Sequence, residues 1–300
     1  MYLFKQVFES LNSLSEFSAE LRRLADRISV SMNELLWDAA SNDHYITQLD
    51  ADLKTTRDFI DYDSNLLAVA FSVAPDSRVS SILGRVDSGA YTHVRGTWCC
   101  ELPYSGDAED CYIVGGDVCG DSIVTLGRIG WADSHARKRV GDLHTFNSLL
   151  LEPLQRDLIE DTWLFERYDA NGTQIRTSYY FEYPSLVTMM LTEIRYGIDV
   201  TLSSVKVDPF PVEDFTFSFG SLTVLYSQST IEIHLQAQGS VKVTKSVSIH
   251  GLTPNTAYAL KSNACAAEDS TVTTCAGGVL SFDYEMQGAC PIILTRLTAV

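Results

Sequence analysis

Positive charge is scarce in this chain. It has 22 Lys and Arg against 39 Asp and Glu over 300 residues, a formal charge of −17. So acidic a surface repels phosphate backbones and anionic headgroups, which excludes nucleic acid and charged membrane surfaces as expected partners. Long apolar runs are also missing: no stretch of about 18 residues is hydrophobic enough to span a bilayer. The opening Met1-Tyr-Leu-Phe-Lys-Gln-Val-Phe-Glu9 lacks the basic region, apolar region and small-residue cleavage site of an export signal. Nor is there a Gly-x-Ser-x-Gly elbow, a Walker loop, a His-Glu-x-x-His pair or a dinucleotide glycine fingerprint. Triad hydrolases, NTPases, zinc proteases and nicotinamide enzymes therefore lose support. Structural zinc sites use short Cys-x-x-Cys pairs, and none of the cysteine spacings has that form, so no metal and no cofactor are expected.

What the chain does have is apolar content, at 45%, with a mean hydropathy of +0.01, enough for a large core in one or two domains. Up to about residue 198 the apolar period is helical. Phe17, Leu21, Leu24, Ile28, Met32, Leu35 and Leu36 predict an amphipathic helix over 9–38 that packs on one face. Further helices are predicted over 64–73, 76–87, 121–140, 143–160 and 184–196, punctuated by Pro75, Ser88-Gly89, Gly141-Asp142 and Gly197, with Pro184 in a first turn. Residues 162–168 read as a strand before the Asn171-Gly172 turn. From about residue 200 the period becomes two, in Phe215–Phe219, Leu222–Tyr226, Thr230–Leu235 and Val241–Ile249, which predicts antiparallel strands in a β-sandwich. The expected class is α+β multidomain, with helical hairpins over 1–198 and a sandwich over 199–300.

Seven cysteines are grouped as Cys99, Cys100, Cys111 and Cys119 in one Gly- and Asp-rich loop, and Cys265, Cys275 and Cys290 in the strand-rich tail. That grouping reads as local stapling, with the odd count leaving one thiol over. With the sequon Asn171-Gly-Thr173, it points to a secreted parent protein whose signal lies outside this chain.

Acids stand at predicted helix mouths. Asp58, Asp61 and Asp63 precede Leu66, Leu67, Val69, Ala70 and Phe71, with Ser64 or Asp63 as the expected N-cap. Asp121 follows Gly120 at the predicted first turn of the fourth helix. Glu182 sits among Tyr179, Tyr180, Phe181 and Tyr183, an aromatic wall of the kind that raises a carboxyl pKa. The loop over 88–120, long and without a regular period, carries Tyr91, His93, Arg95 and Trp98, side chains suited to stacking on and bonding to a sugar ring. Trp131 and Trp163 lie on apolar stripes and read as core.

Several stretches carry a family likeness. Asn33-Glu-Leu-Leu-Trp-Asp-Ala-Ala-Ser-Asn-Asp-His-Tyr45, Asp61-Tyr-Asp-Ser-Asn-Leu-Leu-Ala-Val-Ala-Phe71, Gly120-Asp-Ser122 leading into Gly127-Arg-Ile-Gly-Trp-Ala-Asp133, and Glu182-Tyr-Pro184 leading into Leu191–Ile198 resemble the helix mouths of the six-hairpin, (α/α)6-toroid glycosidases. Val205-Lys-Val-Asp-Pro209 resembles the entry to the sandwich that follows such a toroid, and the likeness spans roughly residues 16–250. A full toroid has about twelve helices and this chain about six, so the resemblance implies a C-terminal half, completed by a missing N-terminal half or by a dimer partner. It implies a glycoside hydrolase-like protein acting on oligo- or polysaccharides through paired carboxylates, Asp121 and Glu182, with Asp61, Asp63, His93, Arg95, Trp98 and Tyr180 binding the sugar. The alternatives are a non-catalytic carbohydrate-binding or truncated remnant and a toroid polysaccharide lyase; the acid-rich mouths favour hydrolysis over the latter.

Overall fold

In a computed structural model of the chain, the residues described are 15–46, 60–88, 97, 125, 127–161, 167–168, 172–175, 181–201, 203–220, 222–236, 243–261, 270–286 and 289–296. They fall into two compact units, residues 16–190 and residues 191–300, the latter grouped with the first 15.

Among the described residues the chain is mainly helical as far as residue 195: α1 (Ser15–Leu35), α2 (Tyr62–Ala70), α3 (Asp76–Asp87), α4 (Gly127–Val140), α5 (Glu152–Asp161), entered through a π turn at Thr145–Leu151, and α6 (Glu182–Met189), followed by a π turn at Met190–Arg195 that leads into the second unit. A two-residue hairpin, β1 (Arg167–Tyr168) with β2 (Gln174–Ile175), precedes α6. Apolar residues occupy most of the circumference of α2, the pattern of a helix enclosed on several sides, and Tyr62, Leu66, Ala68 and Val69 are buried. On α3 the spacing of Val79, Ile82, Leu83 and Val86 gives a single apolar face, and it joins Ile129, Ala132 and Ala136 of α4 in the same core. Pro75 separates α2 from α3 and takes the N-cap position of α3 in an extended conformation, as its fixed φ favours.

The expectation for α1 needs correcting. Phe17, Leu24, Ile28 and Leu35 each keep between 46% and 53% of their surface exposed, so the stripe is not a packed face among the described residues. Polar contacts fix the C-terminal turn instead. Asn33 Nδ2 donates to Val73 O at 2.8 Å, and Asn33 Oδ1 accepts from Arg78 Nη1 at 2.6 Å and from the Tyr45 hydroxyl at 2.7 Å. The Arg78 guanidinium lies 4.2 Å over the Trp37 ring, a cation–π contact. Asp38, in the Leu-Trp-Asp stretch, accepts from the amides of Ala40 and Ser41 at 3.0 and 3.2 Å and closes a turn.

The second unit is built of strands: β3 (Ile198–Val200), β4 (Ser204–Val207), β5 (Phe215–Phe219), β6 (Leu222–Tyr226), β7 (Thr230–Gln236), β8 (Val243–Ile249), β9 (Ala257–Lys261), β10 (Ser270–Thr273), β11 (Leu280–Met286) and β12 (Ala289–Arg296). They form a six-stranded antiparallel sheet in the order β10-β9-β12-β7-β6-β5 and a four-stranded sheet in the order β11-β8-β4-β3. Alternation selects the inner faces: Val224, Tyr226, Ile231 and Ile233 of the larger sheet share one core with Val205, Val207, Val247 and Ile249 of the smaller. The expectation of a purely antiparallel sandwich is corrected at one place, where β4 pairs with β8 in parallel and makes the smaller sheet mixed. Gly197 closes the last helical turn with φ +61°, and a Cβ there would sit 1.8 Å from Asp208 O, so no other residue fits.

Candidate functional site

Three helices begin at one rim of the helical unit. α2 and α4 run parallel: near their starts Arg128 Nε donates to Asp63 Oδ2 at 2.7 Å, and near their ends Arg139 Nη1 donates to Val69 O at 2.9 Å. α6 starts at the same end as α4. A Cβ on Gly127 would lie 3.1 Å from the Tyr183 ring and from Leu186, and 3.2 Å from the Tyr183 backbone, so a bare glycine allows the two helix starts to meet. The Tyr183 hydroxyl donates to Thr125 Oγ1 at 3.0 Å and the Thr125 amide to Tyr168 O at 3.0 Å, which holds α6 in register. The result is a cluster in which the Arg128 charge interacts with Asp63, Glu182 and Asp61.

Asp61, and not Ser64 or Asp63, is the N-cap of α2, its side chain accepting from the Asp63 amide at 3.0 Å. Its carbonyl accepts from Asn65 Nδ2 at 2.8 Å. The buried Asn65 also accepts from the Tyr45 amide at 2.6 Å and donates to Tyr45 O at 3.1 Å, which fixes this helix mouth to the preceding loop. Burial, and next the neighbouring Asp63 charge, push the Asp61 carboxyl up to about 6, against the hydrogen bonds from Ser64 and the Asp63 amide. Asp63 gives one oxygen to Arg128, while its Oδ1 is buried and has no hydrogen-bond partner among the described residues. Burial works against the Arg128 charge, yet the charge and hydrogen bond of Asp63, then Glu182 and Asp61, hold its guanidinium above its ordinary pKa. This arrangement can hold a proton on one carboxyl to near neutral pH beside carboxylates countered by an arginine.

Of the residues singled out in the sequence, Asp61, Asp63 and Glu182 come together here. Glu182 is the first residue of α6 and half-buried. Asp121, His93, Arg95, Trp98 and Tyr180 lie outside the described residues. The aromatic wall around Glu182 is corrected where it can be seen: Phe181 is 78% exposed, and Tyr183 is buried against Tyr168, edge-on at 5.7 Å. The Asp61 carboxyl is raised, first by burial. Trp131 is partly buried against the core and packs edge-on to His135 at 4.6 Å. Arg128 and Asn65 were missed. The signal for Arg128 was a lone cation one residue into a helix that begins with glycine, opposite a run of aspartates. Among the described residues no helix is long and apolar enough to cross a membrane, and no three His, Cys, Asp or Glu are grouped to hold a metal ion.

No protein-family model matches the chain, and no curated protein matches it. Among solved structures it is similar to an α-L-rhamnosidase from Dictyoglumus thermophilum, at 11% identity and a TM-score of 0.46, over 95% of this chain and 29% of that one. It is also similar to a GH127 β-L-arabinofuranosidase from Geobacillus stearothermophilus T6, at 11% identity and a TM-score of 0.31, over 78% of this chain and 40% of that one. The chain thus spans well under half the length of each.

Proposed function

We propose that the helical unit is a glycoside hydrolase-like site that cleaves oligo- or polysaccharide bonds with Asp61 as proton donor and Glu182 as the second carboxylate. The observation that carries this reading is the Asp61 carboxyl, buried at the mouth of α2 and pushed up to about 6 within a cluster that also holds Asp63, Arg128 and Glu182. Glycoside hydrolysis needs such a division of protonation. One acid gives its proton to the leaving oxygen as the glycosidic bond breaks; a second carboxylate takes the proton of the attacking water or attacks the sugar itself. Asp63 is then a sugar-binding acceptor beside Arg128, and Asp121, His93, Arg95, Trp98 and Tyr180 stay candidates for the remaining contacts, with Asp121 an alternative partner to Glu182. On the same reading residues 1–198 form part of a toroid and 199–300 its sandwich domain. The exposed Leu24, Ile28 and Leu35 of α1 support a ring completed by further helices, from a longer chain or a second copy.

The test is hydrolysis of a panel of aryl glycosides and oligosaccharides by the purified chain and by its Glu182→Gln and Asp61→Asn variants. Loss of either acid should cost roughly 100-fold or more in rate. Binding without turnover by the unaltered chain identifies a carbohydrate-binding module, and an unsaturated, ultraviolet-absorbing product identifies a lyase; either result overturns the hydrolase reading.

A further inference from the structure

We propose that Arg128 is the positioning residue of this site, holding Asp63 by one carboxylate oxygen and, through its charge, limiting how firmly Asp61 keeps its proton. The inference rests on the hydrolase reading for its use but on the geometry of α2 and α4 for its substance. Arg128 Nε meets Asp63 Oδ2 at 2.7 Å, and the second Asp63 oxygen is buried with no hydrogen-bond partner among the described residues. Asp61 is fixed differently: its side chain caps the Asp63 amide and its carbonyl is held by Asn65. The two carboxyls of one helix mouth are therefore unequal. One is tied to a cation; the other is buried and accepts from Ser64 and the Asp63 amide.

Among the described residues, the other charges near α2 leave Arg128 in this role. From α4, Arg139 is committed to the far end of α2, donating to Val69 O and Ala74 O and paired with Asp76 of α3. Asp133 of α4 is bonded to Thr97 and Arg137, and His135 packs against Trp131. On α3, Arg78 is engaged with Asn33 and Trp37, Arg85 faces Asp43, and Asp87 pairs with Arg137. From α6, Glu182 acts on Arg128. Among the described residues the charges acting on Asp61 include Asp63, which raises its pKa, and Arg128, whose own interaction with Asp61 opposes that rise. Removing the arginine should thus move Asp61 up, and removing the Asp63 charge should move it down.

The experiment is a carboxyl NMR titration of the full chain labelled with ¹³C at aspartate, with no substrate present. The unaltered chain should show Asp61, assigned by its loss in Asp61→Asn, titrating near the value of about 6 that its burial imposes. Arg128→Met should raise that midpoint by about one unit, Arg128→Lys should restore most of it, and Asp63→Asn should lower it by about one unit. Arg128→Gln, which keeps the stem and removes the charge, guards against a failure of Arg128→Met to fold, and the same upward shift is required of it. An unmoved or lowered midpoint in the arginine variants overturns the role of Arg128 whatever the activity. The expected shifts in a chain that hydrolyses no glycoside overturn the hydrolase reading instead.

Discussion

The two ends of α4 carry the same ingredients to opposite effect. At its start Arg128, half exposed, meets Asp63, with Asp61 and Glu182 close by. About two and a half turns on, Arg137 meets Asp133, Asp87 and Asp142 with only 2% of its side chain exposed. Its Nε donates to Asp133 Oδ1 at 2.8 Å, its Nη1 to Asp87 Oδ2 at 2.8 Å and Asp142 Oδ2 at 3.0 Å, and its Nη2 to Asp87 Oδ1 at 2.6 Å. The acids are satisfied in turn, for Thr97 Oγ1 donates to Asp133 Oδ2 at 2.6 Å and the Thr145 amide to Asp142 Oδ1 at 3.1 Å. Burial opposes the Arg137 charge, but Asp87 and Asp133 hold it above its ordinary pKa. At the Arg128 end a carboxylate oxygen is left without a partner among the described residues, and one acid is pushed to about 6. On the proposed reading the closed network is scaffold, and the open one, with its raised acid, is the site.

If that distinction holds, the largest effect of any arginine substitution belongs to Arg137. Arg137→Met leaves Asp133 buried without its cation, and should cost about 3–5 kcal/mol of stability in denaturant unfolding. Arg137→Lys should recover little, because a point charge cannot reproduce the two-pronged contact with Asp87. Arg128→Met should cost less, about 1–2 kcal/mol, because the arginine is half exposed although Asp63 is 15% exposed. Equal losses at both ends would break the comparison.

A smaller loss is expected at Gly127. An added methyl meets the Tyr183 ring and backbone at 3.1–3.2 Å, so Gly127→Ala must push the starts of α4 and α6 apart, at a cost of about 1–3 kcal/mol. Because Arg128 and Glu182 ride on those two starts, the variant should lose glycoside turnover beyond what its stability explains. Wild-type turnover in a folded Gly127→Ala chain would detach Glu182 from the site.

Much of the scaffold was legible because periodicity and punctuation act locally. Gly141 and Gly197 end helices with positive φ for steric reasons that need no tertiary context, and the alternation at Phe215 and Phe217 and at Ile231 and Ile233 reports burial directly, though Phe219 is 69% exposed. The parallel pairing of β4 with β8 was not legible, since period two is the same in either direction. Nor was the exposure of α1: an apolar stripe states what can be buried, not that a neighbour is there to bury it. At the site, Asp61, Asp63 and Glu182 could be seen as acids at helix mouths. That Arg128 faces them depends on the parallel alignment of α2 with α4, a long-range fact that spacing within either helix does not encode. Of the aromatic residues around Glu182, Phe181 turns outward and Tyr183 inward, which adjacency in sequence does not encode.

The smallest effect is the most diagnostic, because it has the opposite sign. A carboxyl whose pKa is raised by folding favours the native state when protonated, so the stability Asp61 contributes is fully present below its unfolded value near 3.8 and is lost as pH rises through about 6. Above that pH the protein holds an ionised carboxylate at a site that disfavours it. Asp61→Asn removes the charge but keeps a side-chain oxygen able to cap α2. It should leave stability nearly unchanged at pH 4 and raise it by roughly 1–2 kcal/mol at pH 8, after discounting a shift of about two units for residual solvent contact. The same substitution should abolish proton donation, so a gain in stability would accompany a loss of turnover, as expected where a functional group is held under strain. At the other end of α4, Asp133→Asn should be destabilising at both pH values, since there the charge is answered by Arg137. Denaturant melts of the two variants at pH 4 and pH 8 measure the contrast directly. An Asp61→Asn chain that is less stable than the wild type at pH 8 would place Asp61 with Asp133 as scaffold and leave the site without its acid.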